Sequence, residues 1–234
     1  MRLFVFPHAG GAAEQFSRWT RLIAPDIELS FVQYPGRSSR YREPAIDSME
    51  PMVCRLAEAL QPLFDRSYAF FGHSMGALIA YELARRIEGR HRGLARVFLS
   101  GCAAPQRMQP FVRVGAMNDE QLIEFLAEMG GTPTGVLEHP ELLALLIPFM
   151  RSDFQLFETY EFRPGPPLNT PLSLCFGYSD PETEPGDAAR WCQLTTAGCE
   201  TRWFEGNHFF LHQEARSLTA WISSVLLRQW QPNN

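Results

Sequence analysis

The stretch Phe70-Phe71-Gly72-His73-Ser74-Met75-Gly76-Ala77-Leu78 sets one serine between two glycines where an apolar strand gives way to a helix. Before it, Tyr68-Ala69-Phe70-Phe71 is an aromatic run of the kind that fills a buried strand; after it, Ala77 to Arg86 has helical composition. The turn between them has to be sharp. Glycine at 72 and 76 removes two Cβ atoms that would collide as strand and helix close up, and Ser74 is left on the bend. The Met75 N–H then opens a helix, where unpaired amides and the helix dipole favour negative charge. Ser74 is thus a candidate nucleophile and Met75 a candidate oxyanion donor. An ordinary glycine-bounded turn would look the same in isolation, so the reading needs a base and an orienting carboxylate elsewhere.

The totals frame that search. With 234 residues, 45% hydrophobic and 20% charged, the chain can bury one sizeable core and fits a single α/β domain, 1–234. A net charge of −5 with no basic stripe excludes a typical nucleic-acid binder. Lysine is absent, which we read as codon bias. The five cysteines (Cys54, Cys102, Cys175, Cys192, Cys199) are odd in number and scattered, so free thiols in a reducing compartment are expected. No Cys-x-x-Cys occurs, and no metal is expected. The apolar run Leu3 to Phe6 stops at Pro7, too short for a signal peptide or a membrane span, so a soluble cytoplasmic protein without a membrane partner is expected.

From residue 3 to residue 100 the chain alternates strand and helix. Leu3 to Phe6 reads as a strand feeding the loop Pro7-His8-Ala9-Gly10-Gly11-Ala12, then a helix with Phe16, Trp19, Leu22 and Ile23 at helical spacing. The loop lacks both Gly-Lys-Ser/Thr and Gly-x-Gly-x-x-Gly, so it suits a second oxyanion donor better than a nucleotide. In hydrolases with a serine on such a bend that donor follows an earlier strand, here at Ala9 or Gly10. Ile27 to Tyr34 reads as a second strand; Arg37, Arg40 and Arg42 beyond it form a solvated loop, or a docking surface for an acidic partner. Asp47 and Glu50 resemble a capping box before a helix with Met52, Leu56, Leu60 and Leu63 on one face. Leu94 to Ser100 is another buried strand, and the pattern predicts a mostly parallel, doubly wound sheet.

Residues 103–169 break the alternation with a helical insertion: Asp119 to Met129, stopped by Gly130-Gly131, and a long Pro140 to Tyr160 helix apolar on more than one face. A lid over an apolar channel and a helical subdomain with its own core both fit. The sheet resumes at Pro171 to Tyr178, directly before Ser179-Asp180-Pro181, and ends with Glu200 to Phe204 before Glu205-Gly206-Asn207-His208. A closing helix runs through Trp221, Ile222, Val225 and Leu226.

Ser74, Asp180 and His208 each follow a strand and come in the order Ser, Asp, His of the α/β-hydrolase arrangement. His208 would take the Ser74 proton, Asp180 would orient the imidazole, and Met75 with Ala9 would hold the oxyanion. His73 should point into packing, while His91 and His139 lie in surface segments. Among competing acids, Asp187 opens a helix and Asp153 sits within one.

Several segments resemble the type II thioesterases, the stand-alone editing hydrolases of nonribosomal peptide and polyketide assembly lines. They are Phe6-Pro7-His8-Ala9-Gly10-Gly11, Tyr34-Pro35-Gly36-Arg37, Gly72-His73-Ser74-Met75-Gly76-Ala77, Gly130-Gly131-Thr132-Pro133, Arg151-Ser152-Asp153-Phe154, Glu158-Thr159-Tyr160 and Gly206-Asn207-His208-Phe209-Phe210. The resemblance runs nearly end to end. It implies an α/β-hydrolase fold with residues 103–169 as a helical lid. It also implies hydrolysis of acyl or aminoacyl groups from the phosphopantetheine arm of acyl or peptidyl carrier domains, by a monomer with no cofactor of its own. A carboxylesterase or lipase of the same fold, or a non-catalytic carrier-binding protein, are the alternatives.

Overall fold

Strand β1 (Arg2–Phe6) alternates its side chains between the two faces of a sheet, Phe4 and Phe6 on one and Leu3 and Val5 on the other, and all four are fully buried. A strand apolar on both faces needs helices above and below it. The computed structural model describes residues 1–108, 113–131 and 134–229. Beside β1 run β2 (Glu28–Phe31), β3 (Tyr68–His73), β4 (Leu94–Ser100), β5 (Leu172–Gly177) and β6 (Cys199–Phe204). Their order is β2-β1-β3-β4-β5-β6, with every pairing among the described residues parallel.

Helices α1 (Met49–Leu60) and α2 (Met75–Ile87) cover the Phe4/Phe6 face, with Trp191 of α6 (Pro185–Cys192) in the same core. The opposite face is covered by Phe16 and Trp19, by α7 (Phe210–Gln213) with Phe210 and Leu211, and by α8 (Ala215–Gln229), which brings Trp221 and Ile222. The chain therefore forms the expected doubly wound sheet. From β1 it moves outward to β2, then returns past β1 to β3, so the order reverses between β1 and β3. Open α/β sheets place their sites in the crevice at such a point. Phe6 pairs with Gly72 in register, which sets the loop after β1 beside Ser74.

Between β4 and β5 lie α3 (Asp119–Met129), α4 (Thr134–Leu137) and α5 (Pro140–Glu158). Asn118 caps α3 by accepting the Gln121 N–H, and Gly130 ends it at φ 75°, a left-handed angle that glycine adopts freely. Leu156 of α5 packs into the main core, while Met150 meets Leu122, Phe125 and Leu126 of α3 in a small core of their own. Thr132, Pro133 and residues 109–112 of the insertion lie outside the described residues. No helix among the described residues is long and apolar enough to cross a membrane.

Five local expectations are corrected. Residues Ala13–Arg21 form a 3-10 helix, whose three-residue repeat aligns Phe16 with Trp19. Strand β2 is shorter than Ile27 to Tyr34 because it pairs only with Arg2 to Val5 at the sheet edge. Ser48 rather than Asp47 occupies the position before α1, and Asp47 receives the Gln155 side-chain amide instead. Arg37 is buried, not solvated, whereas Arg40 does pair with the exposed Glu43. Finally, Cys192 and Cys199 form a disulfide, because the turn from α6 into β6 brings their Cα atoms to 5.3 Å; Cys54, Cys102 and Cys175 remain free.

Candidate active site

Ser74 sits at φ 54°, ψ −120°, a region that costs a non-glycine residue about 1–3 kcal/mol. Both flanking glycines are required by close approach of backbone to backbone. A Cβ on Gly72 would fall on the Gly76 carbonyl, and one on Gly76 would overlap Phe6 O and lie 2.5 Å from Pro7 O. So α2 is pressed against the ends of β1 and β3, and the bend is anchored by Ser74 N–H donating to Ser100 O at 2.8 Å. The Met75 N–H, at the first turn of α2, has no hydrogen-bond partner among the described residues.

Asp180 follows β5 and His208 follows β6. The two loops are tied together: Tyr178 N–H donates to Phe204 O at 2.9 Å and Ser179 N–H to Gly206 O at 3.0 Å. Gly177 makes this possible, since a Cβ there would lie 2.7 Å from the carbonyls of Gly206 and Asn207. The result is a buried pair in which His208 Nδ1 lies 3.0 Å from Asp180 Oδ1 and 3.1 Å from Oδ2. Asp180 also accepts the Glu182 N–H at 3.0 Å. A carboxylate on Nδ1 selects the tautomer that leaves Nε2 free to accept a proton. Ser74 and His208 line the same two cavities without a direct hydrogen bond, the loose approach common before a substrate binds.

Those cavities, of about 360 and 400 Å³, also share Ala9, Met129 and Phe154. The first runs along α5 beneath Leu142, Leu145, Leu146 and Phe149; the second reaches Cys102, Val114, Phe125, Phe157 and Glu158. Both are mainly apolar, and the Glu158 carboxylate in the second accepts the Val114 N–H at 2.7 Å. Among the described residues no group of three or more His, Cys, Asp or Glu is arranged to hold a metal ion.

The loop after β1 narrows the choice between Ala9 and Gly10. Gly10 N–H donates to Asp153 Oδ2 at 2.8 Å, so it is occupied, whereas Ala9 N–H has no hydrogen-bond partner among the described residues. Asp153 pairs with Arg37, Nη1 at 2.6 Å and Nη2 at 2.5 Å, both side chains being buried. Burial pushes the Asp153 carboxyl up, against the pull of Arg37 and the Gly10 amide. From sequence Arg37 reads as part of a solvated loop or docking surface and Asp153 as a competing acid within a helix; the structure gives them to each other and to Gly10 instead. Asp153 did carry a signal: it shares a helix face with Phe149, Met150 and Phe157, and an acid on an apolar stripe needs a partner.

The remaining histidines are placed as follows. His73 is buried, with Nδ1 2.9 Å from Ser100 Oγ and its ring 4.9 Å from that of His208. His8 packs edge-on to Phe209 and His73, and burial, with His212, His208 and Arg37 adding to it, lowers its pKa to about 3. His139 is exposed and His91 partly so. Asp187 does take part in the cap of α6, and is fully buried against Arg107 and the amides of Ala104 and Glu184.

A parallel sheet with a serine on a strained strand-to-helix bend, a His–Asp pair from later strand ends and free amides nearby has the architecture of the α/β-hydrolases. The family model described as a thioesterase domain matches residues 1–225. The chain is 35% identical over 232 residues to Thioesterase PikA5 of Streptomyces venezuelae, covering 97% of this chain and 81% of that protein. The solved structure of the type II thioesterase BorB, from the borrelidin biosynthetic cluster, superposes with a TM-score of 0.87 at 33% identity, covering 95% and 91% of the two chains. LgrE of Brevibacillus parabrevis, 36% identical over 228 residues and covering 96% and 87%, is named a linear gramicidin dehydrogenase. The present chain has no Gly-x-Gly-x-x-Gly fingerprint for a dinucleotide. This chain belongs to the thioesterase family, among relatives that are type II thioesterases of nonribosomal peptide and polyketide pathways.

Proposed function

We propose that this thioesterase removes acyl or aminoacyl groups from the phosphopantetheine arm of carrier domains, clearing stalled or misprimed positions of an assembly line. The observation that carries the reading is the convergence of Ser74, the His208–Asp180 pair and two apolar cavities at the carboxyl end of one sheet. Ser74 Oγ attacks the thioester carbonyl carbon while His208 Nε2 takes its proton, and the Met75 and Ala9 amides receive the oxyanion. Collapse breaks the C–S bond, and the departing thiolate takes the proton from His208. A water, deprotonated by His208, then attacks the acyl-serine carbonyl, the C–Oγ bond breaks as His208 returns the proton to Ser74 Oγ, and the acid leaves. Two cavities meeting at one serine offer separate room for the acyl group and for the arm. Residues 103–169 serve as the lid, the whole chain acts as one domain and as a monomer, and the partners lie in the cytoplasm.

Mass spectrometry of an acetyl- or aminoacyl-loaded carrier domain tests this directly. Wild type should release the free arm and Ser74→Ala should not. Persistence of the loaded arm with both, alongside rapid cleavage of a small ester by wild type, would move the assignment to a carboxylesterase.

A further inference from the structure

The loop Pro7 to Gly11 invites a complete account of its backbone polar groups. Pro7 O accepts the Tyr34 hydroxyl at 3.3 Å, and His8 O accepts the Gly11 N–H at 2.9 Å, closing a turn in which Gly10 has φ 73°. Gly10 N–H goes to Asp153 Oδ2, and Gly11 O accepts Arg37 Nη1 at 3.1 Å. Left without a hydrogen-bond partner among the described residues are the His8 and Ala9 N–H groups and the Ala9 and Gly10 carbonyls. Of the two amides, that of Ala9 belongs to a residue lining both cavities with Ser74, and that of His8 to one lining only the first. Three of these four restraints come from outside the loop, from the segment after β2 and from α5. Arg37 is further held between the rings of Tyr34 and Phe149, 5.2 and 4.6 Å from its guanidinium carbon.

From this geometry we infer that Arg37 and Asp153 are positioning residues for the reaction: they fix the oxyanion loop with Gly10 N–H withdrawn and Ala9 N–H presented, and they make that arrangement depend on α5 being docked. The inference rests on the serine mechanism proposed above. Stability alone does not account for the pair. A buried ion pair often contributes no more than apolar residues of equal volume would, but only an acceptor at 153 can hold the Gly10 N–H. The Ala9–Gly10 peptide can rotate at low cost because residue 10 is glycine. A carboxylate facing it admits the N–H and repels the carbonyl, so Asp153 selects one orientation. Met150 closes off the other side, since a Cβ on Gly10 would collide with its sulfur.

The test uses two ketones. An octylthio trifluoromethyl ketone accepts Ser74 Oγ at its carbonyl carbon, the serine proton passing to His208 and the carbonyl oxygen becoming the oxyanion. The matching methyl ketone stays unadducted and reports cavity binding only. In Arg37→Met/Asp153→Leu, which replaces the whole pair by apolar side chains, the trifluoromethyl ketone should bind about 10²-fold more weakly or worse and kcat should fall by about 10²- to 10³-fold, as for the loss of one oxyanion donor. The methyl ketone affinity and KM should stay within about threefold of wild type. Equal weakening of both ketones, or no weakening of either, overturns the inference. Should the double variant not fold, the same ratio of affinities measured on Asp153→Asn decides, with a fall of about tenfold expected for a neutral acceptor. Ser74→Ala separates the two levels. Retention of trifluoromethyl ketone affinity in that variant would mean failure of the serine mechanism; its loss there together with retention in the double variant would mean failure of the clamp alone.

Discussion

Replacing Gly76 by alanine perturbs the close approach of the helix after Ser74 to the end of β1. Gly76 does not have a positive φ, so alanine meets no conformational penalty, and within a helix it should gain about 0.5–1 kcal/mol over glycine. Against this stands a Cβ that overlaps Phe6 O and lies 2.5 Å from Pro7 O, roughly 1 Å short of contact distance. Both neighbours are backbone at the end of β1, so no rotamer change relieves the overlap. Overpacking of this kind costs about 1–3 kcal/mol, and the rigid partner argues for the upper end. The net expectation is about 2 kcal/mol of destabilisation, or a Tm lowered by about 4–8 °C for a chain of this length. Relief by moving α2 about 1 Å from β1 also carries the Met75 amide and Ser74 out of line, and a displacement of that size can cost about 10²-fold in kcat. Urea denaturation and turnover of a loaded carrier measure the two effects. Gly135→Ala in α4 is the control: nothing lies within 4 Å of the methyl it would add, so it should be neutral or stabilising by up to about 1 kcal/mol. Wild-type kcat with less than about 0.5 kcal/mol lost in Gly76→Ala would refute the reasoning, because surface substitutions vary by that much.

Ser74→Ala and His208→Ala should each lose several orders of magnitude in kcat, and Asp180→Asn at least about 10²-fold. Asp187→Asn should leave kcat within about threefold while costing about 1–3 kcal/mol, since it weakens a buried acceptor of Arg107, Ala104 and Glu184; the reverse pattern would move the orienting acid to Asp187. His8 has a folded pKa of about 3 against a reference of 6.5. Between those values the unfolded chain binds more protons, so this group's contribution is present above pH 6.5 and is lost as pH falls, by at most about 1.4 kcal/mol per pH unit. Urea midpoints at pH 7, 6 and 5 should therefore fall less steeply in His8→Asn than in wild type, and equal slopes would refute the assignment.

The residues that could be read from sequence share one property: their signals are local. Ser74 and Asp180 each stand just past an apolar run short enough to be a strand, His208 stands beyond the mixed polar and aromatic stretch Glu200 to Phe204, and Gly72 and Gly76 mark their bend by spacing alone. Parallel strands then gather their carboxyl ends whatever the distance along the chain, so local signals suffice to bring Ser74, Asp180 and His208 to one site. The parts that sequence misplaces depend on contacts between distant segments. Arg37 stands in an arginine-rich loop that reads as solvated, and its partner lies 116 residues away. Cys192 and Cys199 are only seven residues apart, yet their pairing depends on how the chain reverses from α6 into β6. Ser48 displaces the capping pair expected of Asp47 and Glu50, because Asp47 instead receives a side chain from α5. The division follows from what each part must do. A proton transfer needs particular residue types and tolerates many ways of bringing them near, so it leaves a mark in the motif. The direction of an amide such as Ala9 N–H is set by whatever satisfies its neighbours, here a carboxylate on α5 and a guanidinium from beyond β2. A chain that kept Gly-x-Ser-x-Gly and the histidine loop but lost the acceptor at 153 would read the same in those motifs, and by the clamp proposed above would present a different oxyanion hole to its substrate.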